Sequence, residues 1–296
     1  MPTVAIIGPG AIGCAVGGPL VETGREQVLF CGNTAFDRIH VTYPTGPAFE
    51  GPAKSVTTPQ DLAPVDWVLL CVKAHQVPGT APWLRALVGP ATRVAVLQNG
   101  VEHREVVTPI IGDGSRILPV VVQIPAERTA PGVVKLTGDP HLVVSREPLG
   151  TAFQYLFNKS RLPVKTTPDF LKAMWEKMCL NSANGSITAL TERDQSVLRQ
   201  ADAAELARQI ILEAMSIARA EGATLDDSLP TRIIANLANA PGGGNSMYFD
   251  RRAGRDLEYE ARNGVLVRLG KKHGIPTPVN ATLYALLKNL KPRPSA

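Results

Sequence analysis

The stretch Thr3-Val4-Ala5-Ile6-Ile7-Gly8-Pro9-Gly10-Ala11-Ile12-Gly13 decides how the rest of the chain is read. Five strand-forming residues run straight into Gly-x-Gly-x-x-Gly, and a helical stretch, Ala11 to Thr23, follows. In such a unit the first glycine permits a tight turn and the second lets main chain approach a pyrophosphate. The third lets helix and strand pack closely, while the helix N-terminus offers N–H groups and positive potential. Gly8, Pro9, Gly10, Ala11, Ile12 and Gly13 therefore read as a dinucleotide-binding turn, against the plainer alternative of a structural glycine turn.

Working outward, the first half alternates short β-branched runs with helical stretches, the pattern of a parallel sheet covered by helices. Strands are expected at Thr3 to Ile7, Gln27 to Cys31, Trp67 to Val72, Val94 to Leu97 and Ile117 to Val122. Antiparallel-looking runs follow at Gly132 to Leu136 and His141 to Val144. From Phe170 onward the β-runs vanish and helical segments take over: Phe170 to Leu190, Ala201 to Glu221, Leu229 to Asn239, Asp256 to His273 and Asn280 to Leu290. The fold class expected is α/β, an N-terminal Rossmann-type doubly wound sheet followed by an all-helical C-terminal domain. The Pro/Thr segment Pro163 to Pro168 suits a boundary between residues 1–167 and 168–296. A glycine joint follows Pro241, and Lys288 to Ala296 reads as a frayed basic tail.

Composition excludes several classes. In 296 residues, 44% apolar and 19% charged, no apolar run approaches the roughly 18 residues of a membrane helix. The first strand begins at once, without a basic head or cleavage site, so no secretory signal is expected. Cys14, Cys31, Cys71 and Cys179 are far apart and without metal spacing, which suits buried free thiols in a reducing cytoplasm and no metal site. The net charge of +5 is C-terminal in origin: residues 1–100 carry six basic and six acidic side chains, residues 250–296 ten basic and four acidic. Aromatics are only 5% and scattered, which argues against a nucleic-acid surface and for a small phosphate- or carboxylate-bearing ligand.

About 20 residues beyond the glycine turn, NAD binders place an acid on the ribose 2′-hydroxyl, but this chain has Cys31-Gly32-Asn33-Thr34. No carboxylate stands there to repel a 2′-phosphate, and Gly32, Asn33 and Thr34 can donate to one, with Arg38 as a nearby charge. NADPH is thus favoured over NADH. Lys73 and Asn99-Gly100 each follow a strand and should emerge at the sheet edge where a dinucleotide lies. A solvated lysine and a common turn pair are the bland alternatives. On the helix from Phe170, Lys177, Asn181, Asn184 and Thr188 fall within roughly 60° of arc at ~100° per residue. That stripe is either the wet side of a surface helix or a donor-rich ligand wall; with so few charges on it, the ligand wall is the better reading. Glu258 has Arg262 at i+4, a surface ion pair on the simplest view, and Ser246 could serve only as a helix cap.

Taken together, Gly8 to Gly13, Val72-Lys73-Ala74-His75-Gln76, Leu97-Gln98-Asn99-Gly100-Val101, Trp175-Glu176-Lys177-Met178-Cys179-Leu180-Asn181, Ser246-Met247 and Glu258-Tyr259-Glu260 with Asn263-Gly264 make the chain similar to the ketopantoate reductase (2-dehydropantoate 2-reductase) family over nearly its whole length. The resemblance implies NADPH-dependent reduction of the ketone of a 2-keto acid. Lys177 would protonate the developing alkoxide, and Glu258 would orient that lysine and hydrogen-bond the substrate. Asn99 would hold nicotinamide or substrate, Asn181 and Ser246 would bind the substrate's hydroxyl and carboxylate, and Asn184 would join the same wall. Lys73 and Gln76 would line the cofactor groove. Two departures stand out: the family often has a second asparagine eight residues after the lysine, where this chain has Gly185, and many relatives place an arginine where this chain has Cys31 to Thr34. A reductase of another bulky 2-keto acid and a non-catalytic NADPH sensor are the competing expectations, with a basic nucleic-acid regulator more distant. A homodimer is permitted but not demanded.

Overall fold

The computed structural model describes residues 1–240 and 242–291. It divides into two compact units, Met1–Phe170 and the chain from Leu171 onward, three residues beyond the division expected at 167.

The first unit holds strands β1 (Thr3–Ile7), β2 (Gln27–Cys31), β3 (Arg38–Thr42), β4 (Phe49–Pro52), β5 (Lys54–Val56), β6 (Trp67–Leu70), β7 (Arg93–Val96), β8 (Ile117–Pro119), β9 (Val121–Gln123), β10 (Ala126–Ala130), β11 (Val133–Leu136), β12 (His141–Ser145) and β13 (Val164–Thr167). Its helices are α1 (Ala11–Thr23), α2 (Ala81–Leu87), α3 (His103–Ile111) and α4 (Pro148–Leu156). Six strands form a parallel sheet in the order β5-β2-β1-β6-β7-β8. Alternate residues of its central strands feed separate cores. Val4, Ile6, Trp67 and Leu69 point to one face, and Ala5, Ile7, Val68 and Leu70 to the other. A sheet apolar on both faces has to be covered on both, which is the doubly wound arrangement. The chain leaves β1 toward β2 on one side and returns to β6 on the other, so the strand order reverses between β1 and β6.

Two small sheets, β10-β11-β3-β4 and β13-β12-β9, complete the unit. Gly17 and Gly18 let α1 sit tightly between neighbours: a Cβ on Gly17 would lie 2.4 Å from the Phe30 ring, and one on Gly18 would lie 2.2 Å from Val41. The single strand expected over Ile117 to Val122 is split. Pro119 brings no N–H to the ladder, the chain leaves the parallel sheet there, and β9 pairs with β12 instead.

The second unit contains α5 (Phe170–Thr191, starting at the last residue of the first), α6 (Ala201–Ala220), α7 (Leu229–Asn239), α8 (Ser246–Arg252), α9 (Val265–His273) and α10 (Pro278–Lys288), with no strand among its described residues. Every residue of α5 from Asn181 through Ala189 is buried, so the surface-helix alternative for its polar stripe is set aside. The hydroxyls there are satisfied within the helix: Ser186 donates to the Ser182 carbonyl at 2.6 Å and Thr188 to the Asn184 carbonyl at 2.6 Å. The helix expected to open at Asp256 starts instead at Tyr259, passes through one π-helical turn, Glu260–Gly264, and continues as α9. Of the glycine joint, Pro241 lies outside the described residues, as do residues 292–296 of the basic tail; Lys288 closes α10. No helix among the described residues is long and apolar enough to cross a membrane, and no cluster there could hold a metal ion.

Candidate active site

The three motif glycines are required for three different reasons. Gly8 has φ of 87°, and a Cβ there would lie 2.5 Å from the Val72 side chain, so both conformation and space demand glycine. A Cβ on Gly13 would lie 2.3 Å from the Gly8 carbonyl oxygen, a main-chain collision that fixes the contact between α1 and the turn. A Cβ on Gly10 would meet nothing within 4 Å. The protein's own packing makes no demand at Gly10, and open space beside main chain is what an approaching pyrophosphate needs. Gly10 is also the N-cap of α1, with no side-chain cap and no acidic residue in the first turn, so the N–H groups of Ala11 and Ile12 open a helix whose dipole favours an anion.

The other expected cofactor residues follow strands of the same sheet. Pro9 packs on Gly32, where a Cβ would lie 2.6 Å from the proline ring. Asn33 and Thr34 follow, both exposed. Arg38 is not a free charge for this edge: it lies in β3 and pairs with Glu50 at 2.6 Å. Lys73, just past β6, opens a short 3-10 helix, and the Gln76 side chain accepts from the Lys73 N–H at 3.1 Å. Asn99 lies just beyond β7, followed by Gly100 at φ of 121°, so the Asn-Gly pair does form a turn. Because β2, β1, β6 and β7 are parallel neighbours, the segments Gly8 to Gly13, Gly32-Asn33, Lys73 and Asn99 all lie at one edge of the sheet, around the point where strand order reverses.

Two residues at this edge are additions from the structure. Gln98 is buried and donates from Nε2 to the Val72 carbonyl at 2.7 Å, tying the Asn99 turn to the segment that carries Lys73. His103, whose imidazole is pushed toward the neutral form by burial, places its Nε2 3.1 Å from the Gln98 carbonyl and braces the same turn. The only advance signal was the spacing of Gln98 and His103 around Asn99-Gly100.

In the second unit, α5 presents Lys177, Asn181 and Asn184. Lys177 is partly buried, and burial together with the Arg262 guanidinium lowers its amine to about 8. The Asn184 Oδ1 is buried without a hydrogen-bond partner among the described residues. Glu258 and Arg262 form an ion pair at 3.5 Å with both side chains almost wholly buried, 5% and 2% exposed, so the surface-pair expectation is overturned. Ser246 is not the cap of its helix. Asn245 is: its side chain accepts from the Tyr248 N–H at 3.2 Å and donates to Thr188 Oγ1 at 2.7 Å, tethering α8 to α5. Ser246 Oγ instead accepts from Arg262 Nη2 at 2.6 Å. Ser246, Glu258 and Arg262 are thus one connected cluster whose guanidinium charge is felt by Lys177, with Asn181 and Asn184 on the same helix as the lysine.

Two family models match in succession, "Ketopantoate reductase PanE/ApbA" over residues 4–148 and "Ketopantoate reductase PanE/ApbA C terminal" over residues 169–291. The chain is 42% identical to a 2-dehydropantoate 2-reductase of Caulobacter vibrioides over 97% of this chain and 98% of the relative. Among solved structures, a 2-dehydropantoate 2-reductase from Geobacter metallireducens superposes with a TM-score of 0.88 at 26% identity, over 97% of this chain and 99% of that one. A dimeric ketopantoate reductase from Staphylococcus aureus gives 0.85 at 27%, over 97% of both. The chain belongs to the ketopantoate reductase family.

A ketopantoate reductase is an oxidoreductase, and the Rossmann-type unit is its nicotinamide-dinucleotide-binding part. Membership also sharpens the departure at Gly185. A Cβ there would lie 2.7 Å from Arg262 Nη1 and 3.0 Å from Met247 Sδ, so the space an asparagine side chain would enter is occupied by the guanidinium. The four cysteines are free, and burial pushes Cys14 up to about 11 and Cys31 and Cys179 up to about 12, so none is a ready nucleophile.

Proposed function

We propose that the protein reduces 2-dehydropantoate (ketopantoate) to pantoate with NADPH, serving pantothenate synthesis. The observation that carries this reading is Lys177, an amine brought to about 8 by burial and by the charge of Arg262, itself buried in a pair with Glu258, in a chain of the ketopantoate reductase family. NADPH, when bound, supplies the hydride that adds to the keto carbon. The Lys177 ammonium polarises the keto oxygen, stabilises the negative charge that gathers there, and passes its proton to it, completing the hydroxyl. A donor whose pKa lies near the working pH is suited to giving and regaining a proton in each turnover. Glu258 orients Lys177 and accepts from the substrate, Asn181 and Ser246 bind its hydroxyl and carboxylate with Asn184 beside them, and Asn99 holds nicotinamide or substrate.

On the cofactor side, the Ala11 and Ile12 N–H groups take the pyrophosphate, Gly32 and Asn33 the 2′-phosphate, and Lys73 and Gln76 line the groove. The absence of a carboxylate in Cys31-Gly32-Asn33-Thr34, at the end of β2, supports NADPH over NADH. The relative from Staphylococcus aureus is described as dimeric, and we infer a homodimer here, which light scattering tests. Free cysteines suit a cytoplasmic enzyme.

The deciding experiment follows nicotinamide absorbance with NADPH and ketopantoate, beside NADH and a panel of 2-keto acids. Loss of absorbance with ketopantoate is expected. Loss only with other 2-keto acids would replace the substrate, a reading that the filled space at Gly185 favours. Binding of NADPH without any turnover would replace the enzyme with a sensor.

A further inference from the structure

Arg262 is the most buried charged side chain of the second unit, 1% exposed, and it sits where Gly185 leaves room for it. Its position is over-determined. Nη1 fills the space against Gly185, Nη2 donates to Ser246 Oγ, and Glu258 lies 3.5 Å away at i+4 across the π-helical turn. Yet its hydrogen bonding is incomplete, because Nε is buried with no partner among the described residues, as is the nearby helix α5's Asn184 Oδ1. A buried polar atom left unpaired in a native structure calls for a reason, and a ligand-binding role is one.

The charges point the same way. Lys177 and Arg262 are two cations, the guanidinium charge depressing the amine, and Glu258 is ion-paired with Arg262. Asp250, the other buried carboxylate whose charge reaches Arg262, is bound to Arg255 at 2.8 Å, and Glu176 on α5 is bound to Arg232 at 2.7 Å. Two cations that repel one another away from water are stabilised by an incoming anion far more than by a neutral molecule of the same shape.

We propose that Arg262 is a specificity-determining residue of this reductase: seated in the space opened by Gly185, it holds Ser246 and Glu258 in place and gives the site a positive wall that selects substrates bearing a carboxylate beside the keto group. The proposal rests on the reductase reading above. It assigns to one guanidinium what a neutral asparagine at position 185 could not supply, a formal charge.

The test compares a 2-keto acid with its methyl ester, the same carbonyl without the charge, at fixed NADPH. Arg262→Leu should raise KM for the acid by about tenfold or more while changing KM for the ester much less, so that acid-over-ester selectivity falls by the same factor. Arg262→Lys, which keeps the charge but not the second nitrogen, should restore part of that selectivity. Because Arg262→Leu leaves Glu258 buried and unpaired and could unfold the unit, Gly185→Ala serves as a second variant: it keeps every charge and pushes the guanidinium aside, and selectivity should again fall. Unchanged acid-over-ester selectivity in folded Arg262→Leu, or in Gly185→Ala if the first does not fold, overturns the proposal. Calorimetric binding of the same acid and ester to the NADP-loaded protein reads the same ratio without turnover. Absence of reduction in the wild type would therefore sink the reductase reading alone.

Discussion

The carbonyl oxygen of Gly8 lies 2.3 Å from where a side chain on Gly13 would begin, whereas a side chain on Gly10 would begin in open space. Two substitutions that look alike in sequence should therefore fail differently. Gly13→Ala forces main chain apart at the start of α1 and should lower stability by about 1–3 kcal/mol, seen as a reduced melting temperature. Gly10→Ala should change stability by about 1 kcal/mol or less, since only its N-cap preference is altered. It should nevertheless weaken NADPH binding at least about tenfold, because the methyl group takes the space kept for pyrophosphate. Equal NADPH affinity in Gly10→Ala and the wild type would move the cofactor away from this turn.

Lys177→Ala removes the proposed proton donor and leaves the sheet edge of the first unit untouched. Turnover should fall by about 10²–10⁴-fold, while NADPH affinity measured by fluorescence titration stays within about twofold. Turnover that survives the substitution would show that another group, or water, delivers the proton.

The depressed amine also sets two pH dependences. Reduction needs the protonated form, so kcat/KM should be level below about pH 8 and decline above it, following Lys177. Stability should run the opposite way. Between about 8 and the ordinary lysine value of 10.5 the unfolded chain binds more protons at this side chain than the folded one, so stability rises with pH across that window. Urea midpoints of the wild type minus those of Lys177→Met, taken from pH 7.5 to 10.5, isolate this contribution. A difference that is flat over that range contradicts the lowered pKa.

Much of the cofactor edge was legible because it depends on local patterns: a strand ending in Gly8, a helix starting at Ala11, and the ends of later apolar runs at Lys73 and Asn99. The small strands were not, since Arg38–Thr42 and Phe49–Pro52 are short and half exposed, pair with each other, and join a sheet only through the distant β11. On α5 the periodicity placed Lys177, Asn181 and Asn184 on one face, but sequence could not tell a wet face from a buried one; that depends on the helices packed around it. Glu258 and Arg262 show the same limit. Their i+4 spacing is read equally well as a surface pair, and only the closeness of Arg262 to Gly185, 77 positions away in the chain, makes it a buried one.

That burial predicts a contrast between two ion pairs. Removing the Glu258 carboxylate leaves the Arg262 charge in a site without water, so Glu258→Ala should cost about 3–5 kcal/mol in addition to its loss of turnover. Glu205 and Arg208 pair at 2.7 Å on the exposed face of α6, each about half exposed, where solvent screens the attraction. Glu205→Ala should leave the melting temperature and turnover unchanged. A Glu258→Ala protein as stable as Glu205→Ala would mean that the buried pair is not the element that holds the cluster.

Cofactor choice turns on Asn33, which follows β2 and is exposed at the edge of the sheet beside Gly32. Asn33→Asp is nearly isosteric, so the fold should be unaffected and only charge changes. A carboxylate there would repel a 2′-phosphate by about 1–4 kcal/mol at contact distance, depending on how much water intervenes. The same carboxylate can accept a hydrogen bond from a 2′-hydroxyl, the arrangement of NAD-binding folds. The ratio of kcat/KM for NADPH to that for NADH should therefore fall at least about fivefold, and the fall should shrink with added salt because the site is open to solvent. If the ratio does not move, the phosphate lies elsewhere. Lys54, on β5 beside β2 and lining a recess with Ala35, Phe36, Ser55 and the carboxylate of Asp37, is then the cation to replace next.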